Sequence, residues 1–179
     1  MLKRTQPAFC FGLMDKKPEE VFEVFLQPGE WYWGDADTRI RTILGSCVAV
    51  TIWHPEKRVG GMCHILLPQR QASHKKNSPA LSGNSAKYAD EALALMMGEM
   101  AKLKIRPKEC QVKVFGGSNM FPKLKLQQKD NIGDRNLHAV LMHLAEHGFQ
   151  IHANHYGGED SRYIIFDIWN GFAWVKSRV

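Results

Sequence analysis

The chain has 179 residues, 44% of them hydrophobic and 23% charged, with a formal net charge of +6. That is room for one domain with a real core and too little for two, and no apolar run reaches the roughly 20 residues that span a bilayer. The basic start Met1-Leu2-Lys3-Arg4 is followed by a short apolar patch, Ala8 to Met14, and then by Asp15-Lys16-Lys17. This argues against a secretory signal and for a cytoplasmic protein that is not integral to a membrane. The positive charge favours an acidic partner without choosing among nucleic acid, anionic lipid and an acidic protein surface. Cys10, Cys47, Cys63 and Cys110 form no CxxC pair and read as free thiols.

Residues 1–20 read as an irregular arm, and residues 21–179 as the folded domain. Val21 to Phe25 alternates as a strand, Pro28-Gly29 turns the chain, Glu30 to Trp33 is a second short strand, and Gly34 to Asp37 turns again. Arg39 to Leu44 leads into a hairpin. Val48, Val50 and Ile52 alternate on one side, His54 to Lys57 has turn chemistry, and Val59 to Leu67 is apolar again. Gln69 to Asn84 is a long polar loop, either solvated or a substrate-binding edge. A helix follows, with Asn84 or Ser85 as N-cap and Tyr88, Ala92, Leu95, Met96, Met100 and Leu103 at helical spacing. Gln111 to Phe115 is a strand, and the Gly116-Gly117-Ser118-Asn119 loop after it lacks a nucleotide-cradling pattern. The second helix covers Gly133 to Glu146, with Leu137, Val140, Leu141 and Leu144 inward and Gly148 as its stop. Phe149 to Asn154 is a strand, and Tyr163 to Ile168 pairs with Phe172 to Val175 around an Asn170-Gly171 type I′ turn. The fold class is α+β, a single domain with mostly antiparallel strands.

One pair of residues could carry chemistry. If the first hairpin turns about Pro55 and Glu56, Cys47 stands directly opposite His64, within reach of a thiol–imidazole contact. A cysteine nucleophile acts as its thiolate, and His64 could serve as its base and later as the acid for a leaving amine. Gly45 and Ser46 would let backbone N–H groups reach a reacting carbonyl as an oxyanion site, and the Thr42 hydroxyl could orient the imidazole or touch substrate. Spacing alone is weak support, because a cysteine opening an apolar strand is commonly a small buried hydrophobe. Cys63 points to the opposite sheet face and packs away, as do Cys10 and Cys110. Cys47, Cys63, His64, His152 and His155 have no recognised zinc spacing, so neither metal nor cofactor is expected. His138, His143 and His147 read as surface or boundary residues. Lys123, Lys125 and Lys129 make a basic segment, either an exposed loop or a docking patch.

The motifs Pro28-Gly29-Glu30, Ile40 to Val50 and Gly60 to Pro68 together closely resemble the chemoreceptor glutamine deamidase family, CheD. Further matches are Lys113 to Phe121, Ile132-Gly133-Asp134-Arg135-Asn136, and Gly157-Gly158 before Arg162, so that the resemblance runs from about Phe22 to Val175. It implies a cysteine hydrolase that converts glutamine side chains of bacterial methyl-accepting chemoreceptors to glutamate, with no cofactor. The catalytic pair falls on Cys47 and His64, with an upstream threonine for which Thr42 is the nearest candidate. The implied fold is a layered α/β sandwich similar to glutamine-deamidating toxins. The implied partners are the receptors' cytoplasmic helices and a chemotaxis phosphatase of the CheC type. Relatives often carry an acidic residue where this chain has His155-Tyr156. Receptor helices of this kind are acidic, so Lys75, Lys76, Lys123 and Lys125 are candidate docking residues. Two alternatives stand beside this reading, a non-catalytic regulator that docks on receptors and a basic nucleic-acid-binding domain. Against the second, there is no helix-turn-helix, RNP or zinc pattern.

Overall fold

The computed structural model describes residues 3–5, 17–69, 85–120 and 131–178. Valine, isoleucine and tryptophan fill Val48–His54, and every one of its residues is buried, as expected of a strand covered on both faces. Around it the chain runs β1 (Lys3–Thr5), β2 (Phe22–Phe25), β3 (Trp31–Gly34), β4 (Thr38–Leu44), β5 (Val48–His54) and β6 (Val59–Ile65). Then follow α1 (Ala89–Lys102), β7 (Gln111–Gly116), α2 (Ile132–Glu146), β8 (Ile151–Tyr156), β9 (Ser161–Asp167) and β10 (Phe172–Arg178). Within the arm expected to be irregular over residues 1–20, the described Lys3–Thr5 is instead a short edge strand, β1, paired with β10.

Two five-stranded sheets form, in the orders β1-β10-β9-β4-β2 and β3-β6-β5-β7-β8. Among the described strands, only β2–β4 and β7–β8 pair in parallel, so the α+β class with mostly antiparallel pairing is the observed one. One apolar layer lies between the sheets, with Ile40, Leu44, Ile164 and Phe166 facing Ala49, Trp53, Met62 and Phe115. A second lies between the other face of β5–β7 and the helices, where Val48, Val50, Cys63 and Val114 meet Leu93, Met96, Val140 and Leu144. Cys63 and Cys110 are buried, whereas Cys10 lies outside the described residues. Lys113 is buried between the sheets and donates to the Gly171 carbonyl, and burial pulls its ammonium down to about 8.

Three local expectations need correction. The first hairpin pairs His54 with Val59 across Pro55 to Arg58, so that its centre falls between Glu56 and Lys57, one residue later than expected. That moves the register by two: His64 stands opposite Ala49, not Cys47. The last hairpin has a four-residue loop, Ile168 to Gly171, between paired Asp167 and Phe172. Its tip is drawn onto the core by the Trp53 indole N–H, which donates to the Ile168 carbonyl at 2.7 Å. Finally, α1 begins at Ala89 with no side-chain cap. Residues 85–88 stay extended because the Leu66 and Leu67 amides donate to the Lys87 carbonyl at 3.1 and 3.0 Å. Asn84 lies outside the described residues, and Ala89 and Leu93 are buried in α1 while Leu103 is exposed. In α2, Asn131 caps the Asp134 amide at 3.0 Å, and Gly148 ends the helix with φ +73.

Two glycines bring the helix layer against the end of β5. Gly116 has φ +101, and a Cβ there would sit 2.2 Å from the Cys47 carbonyl oxygen. At the start of α2, a Cβ on Gly133 would lie 2.6 Å from the Ser118 carbonyl oxygen, so only glycine lets the helix approach that loop. Gly116→Ala should therefore cost about 2 kcal/mol or more in chemical denaturation; an unchanged midpoint would show that Gly116 does not hold the Cys47 peptide.

Candidate functional site

Gly45, Ser46 and Cys47 form a short bend where β4 leaves one sheet and β5 enters the other. Each of their three carbonyls has a donor. The Ser118 amide donates to Gly45 at 3.0 Å and the Gly117 amide to Cys47 at 2.8 Å. The Asn136 side-chain amide, from α2, donates to the Ser46 carbonyl and to the Leu66 carbonyl, each at 3.0 Å. The bend is thus held from the β7 loop and from the helix layer at once.

His64 is almost fully buried between the sheets. Its strand position is fixed by backbone bonds to the turn before β3: the His64 amide donates to Glu30 at 2.9 Å, and the Gly29 amide to the His64 carbonyl at 2.8 Å. Its ring Nδ1 lies 2.7 Å from the Thr42 hydroxyl, which itself donates to the Leu26 carbonyl at 2.9 Å. The hydroxyl has one proton, and Leu26 takes it. The Thr42 oxygen can then only accept from Nδ1, so the imidazole hydrogen sits on Nδ1 and Nε2 holds the free lone pair. Nε2 is buried and has no partner among the described residues. Burial pulls the imidazole pKa down to about 4, with the Leu26 carbonyl and the Glu30 charge opposing it.

Cys47 is partly buried against the apolar layer between the sheets. That is the face on which His64 lies, because His64 pairs with Ala49 and Ala49 is two residues from Cys47. The two side chains are thus diagonal neighbours, at a backbone spacing of about 7–8 Å, rather than directly opposed. No hydrogen bond joins them. Burial raises the Cys47 thiol pKa, so the resting site pairs a thiol with a neutral imidazole.

The family model described as CheD chemotactic sensory transduction matches residues 66–177. The chain belongs to the CheD family. It is 43% identical over 165 residues to the "Probable chemoreceptor glutamine deamidase CheD" of Pseudomonas syringae pv. tomato, covering 90% of this chain and 92% of that protein. It is 46% identical over 161 residues to the "Probable chemoreceptor glutamine deamidase CheD 2" of Albidiferax ferrireducens, covering 90% of each. With a CheD 1 protein of Chromobacterium violaceum it shares 37% over 182 residues, covering 98% of this chain and 91% of that one.

In this CheD-family chain the structure brings Thr42, Gly45, Ser46, Cys47 and His64 to one end of the inter-sheet layer. Lys75, Lys76, Lys123 and Lys125 lie outside the described residues, as do Arg70 and His74. His138 and His147 are exposed and His143 is half-buried, and no group of three or more His, Cys, Asp and Glu placed to hold a metal occurs among the described residues. No described helix is long and apolar enough to cross a membrane. His155 accepts from Arg162 Nε at 2.8 Å through Nδ1, and Arg162 also donates to the Ser118 hydroxyl and the Gly157 carbonyl. The arginine thereby links the late Gly-Gly loop to the segment that holds Gly45. Neither spacing nor composition points to Asn136, Ser118 or Arg162; their signal in the sequence is membership of the motifs shared with the family.

The buried imidazole makes a thermodynamic prediction. Unfolded, His64 protonates near 6.5; folded, it stays neutral down to about 4. As pH falls through that window the unfolded state takes up a proton that the native state refuses, so stability present above 6.5 drains away, by about 3 kcal/mol in full. His64→Gln should flatten this acid loss between those two values. Parallel loss of stability in both chains, measured by denaturant titration, would refute the neutral buried imidazole.

Proposed function

We propose that the chain is a protein-glutamine deamidase acting on chemoreceptors in bacterial chemotaxis, with Cys47 as nucleophile, His64 as base and acid, and Thr42 as the residue that orients His64. The observation that carries this reading is the bare Nε2 of His64, aimed by the 2.7 Å contact of Nδ1 with Thr42 on the sheet face that Cys47 shares. The names of the relatives at 43% and 46% identity supply the reaction and its substrate.

Chemically, the Cys47 thiol passes its proton to His64 Nε2 as sulfur bonds to the side-chain carbonyl carbon of a glutamine. The carbonyl π pair moves to oxygen, and backbone N–H groups of the Gly45–Cys47 bend are positioned to receive that charge. Collapse of the adduct breaks the C–N bond, and His64 returns the proton to the departing nitrogen, releasing ammonia. Water then gives a proton to His64 and its hydroxide to the thioester carbon. The C–S bond breaks, sulfur recovers that proton from His64, and the carboxylic acid formed loses its own proton to water, leaving a glutamate carboxylate. A neutral His64 suits the first step, because an imidazolium could not accept the thiol proton. A thiol left protonated at rest becomes nucleophilic only when base and substrate are both in place.

Receptor fragments incubated with the chain should gain about one mass unit at particular glutamines, the change from amide to acid that the thioester route delivers. Cys47→Ala should abolish the gain and leave fragment binding intact. Thr42→Val, which keeps the volume and removes the hydroxyl, should lower kcat about 10- to 100-fold, whereas Thr42→Ser should restore most of it. If no receptor from the same cell changes mass, the enzymatic reading is wrong and a docking role without catalysis replaces it.

A further inference from the structure

Asn136 is fully buried, and both atoms that its side-chain nitrogen reaches are carbonyl oxygens, those of Ser46 and Leu66. The amide nitrogen must therefore face them, and the other end, Oδ1, is left buried without a partner among the described residues. A buried acceptor without a donor costs about 1–3 kcal/mol, which is a large concession for a residue whose only task is packing. The concession places one donor between the bend before β5 and the end of β6.

The consequence lies on the far side of the Ser46–Cys47 peptide. No described peptide is cis, and in a trans peptide the C=O and the next N–H point in opposite directions. Asn136 comes from α2, in the helix layer, and draws the Ser46 carbonyl toward that side. The Cys47 N–H therefore points away from the helices, toward the inter-sheet side on which the Cys47 thiol packs. The neighbouring peptide is set in the same way, because the Gly45 carbonyl is taken by the Ser118 amide at 3.0 Å. Among the described residues, the N–H groups of Ser46 and Cys47 have no acceptor. Successive backbone N–H groups without acceptors can together hold a negative oxygen, and engaged carbonyls keep the peptides of this bend from turning away.

We infer that Asn136 is a positioning residue of the oxyanion site, fixing the Ser46–Cys47 peptide so that the Cys47 N–H meets the oxygen of the tetrahedral adduct. The inference rests on the proposed nucleophile and deepens it. When the Cys47 thiolate adds to a carbonyl, the C–S bond forms, the π pair becomes an alkoxide, and this N–H donates to it. Collapse returns the pair to the carbon and expels the leaving group. An alkyl halide, by contrast, is displaced at saturated carbon with loss of halide, and no oxyanion forms. The two reactions use the same sulfur and the same base, and differ in their need for the aimed N–H.

The test compares them in the full-length chain, with Cys47→Ala as background. One readout is the burst of p-nitrophenolate from p-nitrophenyl acetate, and the other is iodoacetamide alkylation of Cys47 followed by mass spectrometry. Asn136→Ala should slow the burst about tenfold or more, in the direction of the 10²–10³ lost with an oxyanion donor, and leave alkylation within about twofold. Asn136→Ser, which keeps one donor for one carbonyl, should fall between, and serves where the alanine variant does not fold. A burst that ignores Asn136→Ala overturns the inference, and so does equal slowing of burst and alkylation, which would mean that Asn136 holds thiol and imidazole together instead. Failure of both variants to fold assigns the residue to stability and likewise overturns it. Absence of any Cys47-dependent burst or alkylation in the parent chain removes the nucleophile itself, a different failure from a missing mass change on receptor fragments.

Discussion

A strand buried on both faces cannot slide, and the site depends on that. β5 is buried along its whole length, packed on one side against the opposing sheet and on the other against both helices. A shift of one residue would exchange Val48, Val50 and Ile52 with Ala49, Thr51 and Trp53, moving large side chains from the helix layer into the space between the sheets. Its register against β6 and β7 is therefore fixed by volume. Cys47 inherits that precision as the residue just before the strand, and His64 inherits it from the neighbouring one.

The same burial sets the electrostatics. Between the sheets a charge has little solvent, so His64 is kept neutral, and a neutral imidazole must have its hydrogen placed. Thr42 does this through an oxygen that has already given its own proton to Leu26. A carboxylate in that place would also accept from Nδ1, but it would add a buried charge beside Ile40, Leu44, Ala49 and Phe115. The hydroxyl orients the ring without that cost. It leaves the imidazole a weaker base than an Asp-paired one, which is consistent with a pKa of about 4.

Much of this was legible because side-chain alternation has period two. Local turn chemistry puts the first hairpin one residue early, yet that offset moves the pairing by two and leaves Cys47 and His64 on the same face. What changed is distance: direct opposition became a diagonal, and contact at rest was lost. The turn itself could not be placed from local chemistry, since Pro55, Glu56 and Lys57 all suit a loop and only packing of β5 against β6 decides among them. The Asn170-Gly171 signal failed for a similar reason, because Trp53 captures Ile168 and widens the loop. Asn136 was illegible in a deeper sense. Its partners are main-chain carbonyls 90 and 70 residues away, and backbone atoms leave no mark on sequence.

Orphaned Nε2 and orphaned Oδ1 acquire a common explanation once the bend is considered as a scaffold for charge that is not yet there. The native state gives up hydrogen bonds at His64 and Asn136, and it leaves the Ser46 and Cys47 amides without acceptors among the described residues. Each is a cost to folding. Donors already aimed at an empty position need no reorganisation when an oxyanion forms there, and that saving is where electrostatic catalysis gains most. The glycines serve the same end: Gly116 and Gly133 have no Cβ, so the β7 loop and α2 can close on the Cys47 and Ser46 carbonyls. Two elements distant in sequence, the β7 loop and α2, thus converge on the carbonyl side of one bend, and the opposite side is left for chemistry.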